Sequence, residues 1–164
     1  MARTILGVII SVIIAQMAGA IGSVFTASNI QNWYAYLEKP SFAPPNWLFA
    51  PAWITLYTLM GIAAFLVWSS YAKATDGQVK KEIKTALWFY GVHLVLNSLW
   101  SVIFFGLQNP AWAFFEILIL WALILIITWK FYKIRRAAGI LFIPYIFWVT
   151  FAAILNLTVW QLNM

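Results

Sequence analysis

Five long apolar stretches, separated by short polar segments, dominate the pattern of this chain. They cover residues 5–26, 47–70, 85–107, 110–132 and 137–162. Each holds about the 20 mostly apolar residues that a helix needs to cross a membrane. Helices are expected because lipid offers no partner for an exposed backbone N–H or C=O group. The pattern therefore predicts an all-α membrane protein, a bundle of five transmembrane helices that forms a single domain over residues 1–164.

Two prolines mark features of the predicted helices. Asn109 directly precedes Pro110, and a capping side chain followed by proline at the first helical position is typical of a helix start. Pro144 lies inside the fifth stretch. There it is expected to kink the helix and to leave the carbonyl of Ile140 without its usual donor.

The first apolar stretch resembles a signal peptide, because Arg3 precedes it and residues 18–20 read Ala-Gly-Ala. It is long enough to cross the membrane, so we interpret it as a retained helix. Small residues repeat along it at Ala15, Gly19 and Ser23, and small side chains let membrane helices approach closely. Packing within the bundle is the favoured interpretation, and a homodimer contact is the alternative.

The composition agrees with a membrane environment. Hydrophobic residues make up 65% of the chain and charged residues 9%, whereas about 25% of residues in soluble domains are charged. The charges are too few to cover a soluble surface. The absence of cysteine excludes disulfides and thiolate chemistry. One histidine and four acids form no pattern typical of a metal site, so none is predicted.

The basic residues are distributed asymmetrically about the five predicted spans. Lys39 stands alone in the first loop, and the other basic residues all fall on the opposite side of the membrane. Because basic loops stay in the cytoplasm, we expect a cytoplasmic N-terminus and an external C-terminus. The basic loops are interpreted as topology signals beside anionic lipid headgroups, and nucleic acid is not an expected partner.

Polar side chains on the third and fourth helices are candidates for function. His93, Asn97 and Ser101 are four residues apart, so they share one helix face. For Asn97, hydrogen bonding between helices and orientation of a ligand in an apolar pocket are both open interpretations. For His93 a structural role is favoured, because a lone histidine is no metal site. For Glu116, an interhelical hydrogen bond and proton or substrate handling both stay open.

Aromatic residues recur at helical spacing on two further helices. Trp53 and Tyr57 share a face of the second helix with Gly61, and Trp148 shares a face of the fifth with Ala152. Such stripes usually pack or face lipid, but 11 tryptophans exceed what anchoring at membrane interfaces requires. The combination suits a flat apolar ligand that stacks on the indoles, with Gly61 and Ala152 providing room.

Several separated motifs, in order along nearly the whole chain, resemble those of the translocator protein family (TspO/MBR), also called tryptophan-rich sensory proteins or peripheral-type benzodiazepine receptors. The motifs are Trp33-Tyr34, residues 37–40 (LEKP), Pro44-Pro45, residues 51–53 (PAW), residues 96–100 (LNSLW), residues 104–106 (FFG), Pro144-Tyr145, Trp148, Phe151-Ala152 and Leu155-Asn156. Glu116 also fits the family. The resemblance implies a five-helix membrane bundle, often dimeric, in which the first loop, here residues 28–46, closes a ligand pocket.

The resemblance also implies the ligands and the site. Family ligands are porphyrins, including protoporphyrin and haem, sterols in animal members, and apolar drug-like compounds. No further cofactor is required. By position, the residues carried over as ligand-binding are Tyr34, Trp53, Asn97, Trp148 and Ala152. The helical stripes add Tyr57 and Ser101.

Two functions follow as hypotheses. The first is binding of porphyrin-type tetrapyrroles, protoporphyrin IX or haem, for sensing or transport. The second is an enzyme that degrades protoporphyrin with light and oxygen and without metal, using Trp53 and Trp148 as catalytic residues, because some family members promote this breakdown. A structural membrane protein whose pocket holds lipid is a third hypothesis.

Two parts of the chain depart from patterns found in the family. Residues 155–161 lack the tyrosine and the basic residue of the family's cholesterol motif, which speaks against sterol handling and fits a protein of a prokaryotic plasma membrane. Trp88 and Val92 stand where small residues would support a close dimer contact of the third helix, which speaks against that mode of dimerisation.

Overall fold

The computed structural model describes residues 2–164 and contains five long helices. They are α1 (Ala2–Asn29), α2 (Phe49–Lys73), α3 (Gly77–Ser101), α4 (Pro110–Ile134) and α5 (Arg136–Leu162). Each is part of a helical segment long and apolar enough to cross a membrane. The predicted all-α bundle of five transmembrane helices is therefore confirmed.

Side-chain caps fix the starts of α3 and α4. Asn109 accepts a hydrogen bond from the backbone N–H of Trp112 at 3.1 Å, and Pro110 is the first helical residue, as the sequence predicted. Asp76 caps α3 by accepting from the N–H of Gln78 at 2.6 Å. The third helix thus begins well before predicted residue 85, because its first two turns are polar and hydropathy does not report a helix outside the bilayer.

A π-helical turn, Val102–Gly106, continues α3 towards α4. The N–H of Leu107 donates to the carbonyl of Val102 at 2.8 Å, which closes this wide turn. As a result the consecutive residues Phe104 and Phe105 are both buried. Such turns occur often at functional sites, and the sequence interpretation did not anticipate this one.

The helix α5 continues through Pro144 along its whole length. On one face of the helix, Phe142 and Tyr145 are fully buried in the core shared with α2, α3 and α4. On the opposite face, Ile143 and Phe147 are exposed, as expected for side chains that face lipid. The kink expected at Pro144 stays a prediction.

The helix α1 packs against α2 through glycine. A side-chain carbon added at Gly61 would lie 2.5 Å from Cα of Val12, so only glycine permits this approach. Gly61 was expected to provide room for a ligand. That expectation is wrong, because the space beside it is filled by the backbone of α1. Gly19 likewise faces the ring of Tyr57, which supports packing within the bundle for the small residues of α1.

The first loop, predicted at residues 28–46, covers residues 30–48 in the structure and contains two short 3₁₀ turns. Tyr34, in the first turn, is only 5% exposed. It packs with Phe104 and Phe105 in a second apolar cluster, separate from the central core. The loop is thereby tied to the end of the bundle where α3 meets α4.

A candidate ligand-binding cavity

A cavity of about 560 Å³ lies inside the bundle. Residues of all five helices and of the first loop line it. Its volume falls within the range of about 300–1,000 Å³ that is usual for small-molecule sites. Within residues 2–164, its wall contains aromatic, aliphatic, hydroxyl and amide side chains and no charged one. The cavity suits an apolar ligand with few polar groups.

The structure places every sequence-predicted binding residue on the wall of this one cavity. These residues are Tyr34, Trp53, Tyr57, Asn97, Ser101, Trp148 and Ala152. They come from four separate parts of the chain, the first loop, α2, α3 and α5. Their role in ligand binding stays a prediction.

Two indoles form a corner of the cavity. The ring centroids of Trp53 on α2 and Trp148 on α5 are 6.4 Å apart, with their planes at 85°. The Tyr57 ring lies beside Trp53, with centroids 5.5 Å apart and an angle of 30° between the ring planes. The Phe49 ring contacts Trp148 edge-on, with centroids 6.0 Å apart. A flat ligand can stack on one indole and contact the edge of the other, both of which are favourable aromatic geometries.

The roof of the cavity, defined as Tyr34, Phe104 and Phe105, closes the end beneath the first loop. The Tyr34 ring centroid is 5.6 Å from that of Phe105 and 6.1 Å from that of Phe104. Burial raises the pKa of the Tyr34 hydroxyl above its ordinary value of 10.0. The hydroxyl therefore stays neutral at physiological pH. The ammonium of Lys39 lies 4.8 Å from the centre of the Tyr34 ring.

A side chain near the end of the chain holds the first loop. The Oδ1 atom of Asn163 accepts from the backbone N–H of Glu38 at 3.0 Å, and its Nδ2 atom donates to the Glu38 carbonyl at 3.0 Å. This two-point contact fixes the backbone next to Lys39. The sequence interpretation missed Asn163, because no local pattern links residues 125 positions apart.

The floor of the cavity, defined as Tyr57 and Asn97, is polar. The Tyr57 hydroxyl donates to Oδ1 of Asn97, and Nδ2 of Asn97 donates to the Tyr145 hydroxyl at 2.7 Å. The Tyr145 hydroxyl lies 2.9 Å from Nε2 of His93. His93 and Tyr145 are both fully buried, so the structural interpretation of His93 is supported. Asn97 forms hydrogen bonds between helices, as one of its two interpretations held. It also lines the cavity, and its role in orienting a ligand stays a prediction.

Further cavity residues were not singled out as a site by sequence reasoning. The Nε1 atom of Trp100 donates to Oδ1 of Asn156 at 3.1 Å, and Nδ2 of Asn156 donates to the Pro110 carbonyl at 2.8 Å. Trp100 stacks on Phe104 at 4.9 Å. Trp100 and Phe104 lie beside the predicted polar stripe of α3, so the helical periodicity that indicated the stripe could also have indicated these two residues.

Glu116 lies apart from the cavity wall. It is buried at 7% exposure, and neither of its carboxyl oxygens has a hydrogen-bond partner among residues 2–164. An interhelical hydrogen bond was one of its two interpretations. The structure does not contain that bond, because no donor of a neighbouring helix reaches the carboxyl group.

Five membrane-crossing helices around a cavity with aromatic walls define an integral membrane protein with an internal pocket. The model of the TspO/MBR family matches residues 10–161, so the chain belongs to this family.

Relatives in archaea, bacteria and animals align over most of the chain. It is 41% identical to the tryptophan-rich protein TspO of Archaeoglobus fulgidus over 160 residues, covering 97% of this chain and 98% of that protein. It is 39% identical to protein CrtK of Rhodobacter capsulatus, covering 89% and 86%. It is 36% identical to the human translocator protein, covering 87% and 82%.

Proposed function

We propose that this protein binds porphyrin-type tetrapyrroles, protoporphyrin IX or haem, in the cavity, and that binding serves sensing or transport. The observation that carries the proposal is the corner formed by Trp53 and Trp148 on the wall of an uncharged cavity. A flat macrocycle fits against one indole and meets the edge of the other. The family resemblance supports the same ligand class.

Under this proposal the predicted residues have distinct tasks. Trp53 and Trp148 contact the macrocycle, while Asn97 and Tyr57 provide polar contacts at the floor. Tyr34 covers the ligand from the roof. Ser101 and Ala152 complete the wall as small side chains that leave room for a wide ring.

The charge pattern supports an orientation in the membrane, and the missing sterol motif supports a prokaryotic one. We propose that the N-terminus is cytoplasmic and that the first loop faces outward, in the plasma membrane of a prokaryote. The basic residues that flank the α2–α3 and α4–α5 turns lie in adjacent connections, and Nη1 of Arg135 is 3.5 Å from Oγ of Ser69. Positive charge gathered at one end of the bundle is the arrangement that keeps loops in the cytoplasm.

An enzyme is the second candidate, and the same indole pair favours it. Two oxidisable indoles lie with ring centroids 6.4 Å apart on the cavity wall. They would contact a light-excited porphyrin in the presence of oxygen. Under this hypothesis Trp53 and Trp148 are catalytic residues, and illumination converts protoporphyrin to a new product without a metal.

One titration separates the candidates. Purified protein is mixed with protoporphyrin, and tryptophan fluorescence and pigment absorbance are recorded in darkness and then under light. We expect saturable quenching that weakens about threefold to tenfold in Trp53→Phe and Trp148→Phe, as lost aromatic contacts predict. Trp88→Phe is the matched control, because Trp88 is 65% exposed and lies outside the cavity wall.

The light phase then decides between sensing and degradation. Intact pigment after illumination supports binding alone, whereas a product that requires Trp53 and Trp148 supports the enzyme. Absence of saturable quenching in the wild-type protein would overturn both candidates and favour a cavity that holds lipid.

A further inference from the structure

Four polar side chains form one continuous hydrogen-bonded chain from the cavity floor into the core of the bundle. The order is Tyr57, Asn97, Tyr145 and His93. The first two line the cavity, and the last two are fully buried. A chain of this kind has a direction, because each hydroxyl has a single hydrogen to donate.

The direction is set at the buried end. Nδ1 of His93 lies 3.3 Å from the carbonyl oxygen of Tyr90, which can only accept, so Nδ1 carries a hydrogen. The two ring nitrogens contact a carbonyl and a hydroxyl and, among residues 2–164, no anion, and burial of an unpaired charge is costly. The ring is therefore neutral, Nε2 has a lone pair, and the Tyr145 hydroxyl donates to it.

The remaining links then have one arrangement. The Tyr145 hydrogen is used on His93, so its oxygen accepts from Nδ2 of Asn97. This orientation turns Oδ1 of Asn97 towards Tyr57. An amide oxygen only accepts, so the Tyr57 hydroxyl donates its hydrogen to it. Tyr57 consequently offers the cavity lone pairs only, while Asn97 keeps a second Nδ2 hydrogen.

We infer that the floor recognises an uncharged ligand group with a hydrogen-bond donor beside an acceptor, such as a carboxamide or an un-ionised carboxylic acid, and that His93 is the positioning residue that sets this preference. The inference rests on the proposed function. The ligand donor meets Tyr57, and the ligand acceptor meets Asn97. No charged side chain of residues 2–164 lines the wall, so a carboxylate would enter without a counterion, which is costly in an apolar site.

The test compares two neutral derivatives of protoporphyrin, the bis-amide and the dimethyl ester. The amide side chains have donors and acceptors, whereas the ester side chains have acceptors only, and the macrocycle is the same in both. The readout is the ratio of their dissociation constants, measured in darkness by quenching in the same detergent. Loss of one neutral hydrogen bond corresponds to about a tenfold change at most. We expect the wild-type protein to prefer the amide to the ester. In His93→Leu this preference should fall by about that factor.

Variants of the hydrogen-bonded residues distinguish a positioning role of His93 from a general loss of structure. In His93→Leu, Tyr145 is free to donate to the Asn97 oxygen. The chain then reverses, and Tyr57 gains a free hydrogen that suits the ester. His93→Gln restores an acceptor and is expected to restore the preference. Tyr145→Phe cuts the chain independently and should also lose it. Tyr90→Phe is the control, since its hydroxyl has no partner within residues 2–164 and its backbone carbonyl is unchanged.

Each outcome decides the matter. A ratio that shifts in His93→Leu and Tyr145→Phe and is retained in His93→Gln and Tyr90→Phe supports the inference. Equal ratios in all variants would overturn it and leave tetrapyrrole binding intact. Absence of saturable binding of either derivative and of protoporphyrin itself would overturn the proposed function, and this inference with it.

Discussion

The two ends of the cavity are held by different forces. At the roof, Tyr34 relies on aromatic contacts with Phe104 and Phe105, and the loop backbone is held by Asn163, an exposed residue. At the floor, Tyr57 and Asn97 belong to a buried hydrogen-bonded chain with no exposed member. Hydrogen bonds in water contribute little net stability, whereas a buried polar group without its partner is costly.

This difference assigns separate roles to the two ends. A contact that water can replace opens at small cost, so we expect a ligand to enter and leave at the roof. A buried chain keeps one arrangement and so presents a fixed set of donors and acceptors. We therefore expect changes at the floor to alter stability and ligand choice, and changes at the roof to alter rates.

The largest effect is expected at the floor. Tyr145→Phe removes a hydroxyl that contacts His93 and Asn97, and it leaves both without that partner in the core. The free energy of unfolding should fall by about 1–3 kcal/mol, the usual cost of a buried unsatisfied polar group. Thermal unfolding in detergent, followed by tryptophan fluorescence, measures the change.

Tyr90→Phe is the matched comparison for stability. It removes a buried hydroxyl that has no hydrogen-bond partner within residues 2–164, so the variant should be at least as stable as the wild type. Equal destabilisation of Tyr145→Phe and Tyr90→Phe would show that the hydrogen bonds of Tyr145 contribute nothing to stability beyond packing.

An intermediate effect is expected from Asn163→Ala at the roof. The substitution removes both contacts with the Glu38 backbone. Two neutral hydrogen bonds at an exposed site contribute together about 1 kcal/mol, which corresponds to roughly a fivefold rise in the dissociation rate of a bound porphyrin. Stopped-flow recovery of tryptophan fluorescence after dilution measures this rate.

The control for this rate is Asn32→Ala. Asn32 is also exposed at the start of the first loop, but its side chain donates only to the nearby carbonyl of Ser28. Its loss should leave the dissociation rate unchanged. If Asn163→Ala and the wild type release porphyrin at the same rate, the contact with Glu38 does not hold the roof closed.

The sequence predicted the parts of the site that depend on periodicity. Residues four apart on a helix share a face, so the sequence paired Trp53 with Tyr57 and Asn97 with Ser101. All four side chains line the cavity, and their role in binding stays a prediction. Periodicity identifies a face and not its neighbour. For that reason Gly61 was assigned to the ligand, although it contacts the backbone of α1.

Features that depend on distant contacts or on unusual backbone were not predictable. Asn163 meets Glu38 only after the whole bundle has formed, and Tyr145 completes the floor chain from another helix. The π turn at Val102–Gly106 has no signature in hydropathy. The family resemblance predicted that the first loop covers the cavity. The individual contacts of the loop depend on the folded structure and could not be read from the sequence.

The smallest effect is expected from Lys39→Met. The Lys39 ammonium lies over the Tyr34 ring and donates to two backbone carbonyls, those of Ala35 at 3.2 Å and Leu37 at 3.0 Å. A cation–π contact contributes about 0.5–1 kcal/mol, so porphyrin should dissociate about twofold to fivefold faster.

Salt dependence shows which role Lys39 has. Its partners in the structure are an aromatic ring and two carbonyl dipoles, so the effect of Lys39→Met should change little between low and high salt. An ion pair between Lys39 and a ligand carboxylate at the surface would instead be screened by salt. Lys39→Arg keeps the charge and stacks well on aromatic rings, so it should release ligand at nearly the wild-type rate. A strongly salt-dependent loss in Lys39→Met would place a porphyrin carboxylate at the roof and would contradict the inference that the floor recognises this group in its un-ionised form.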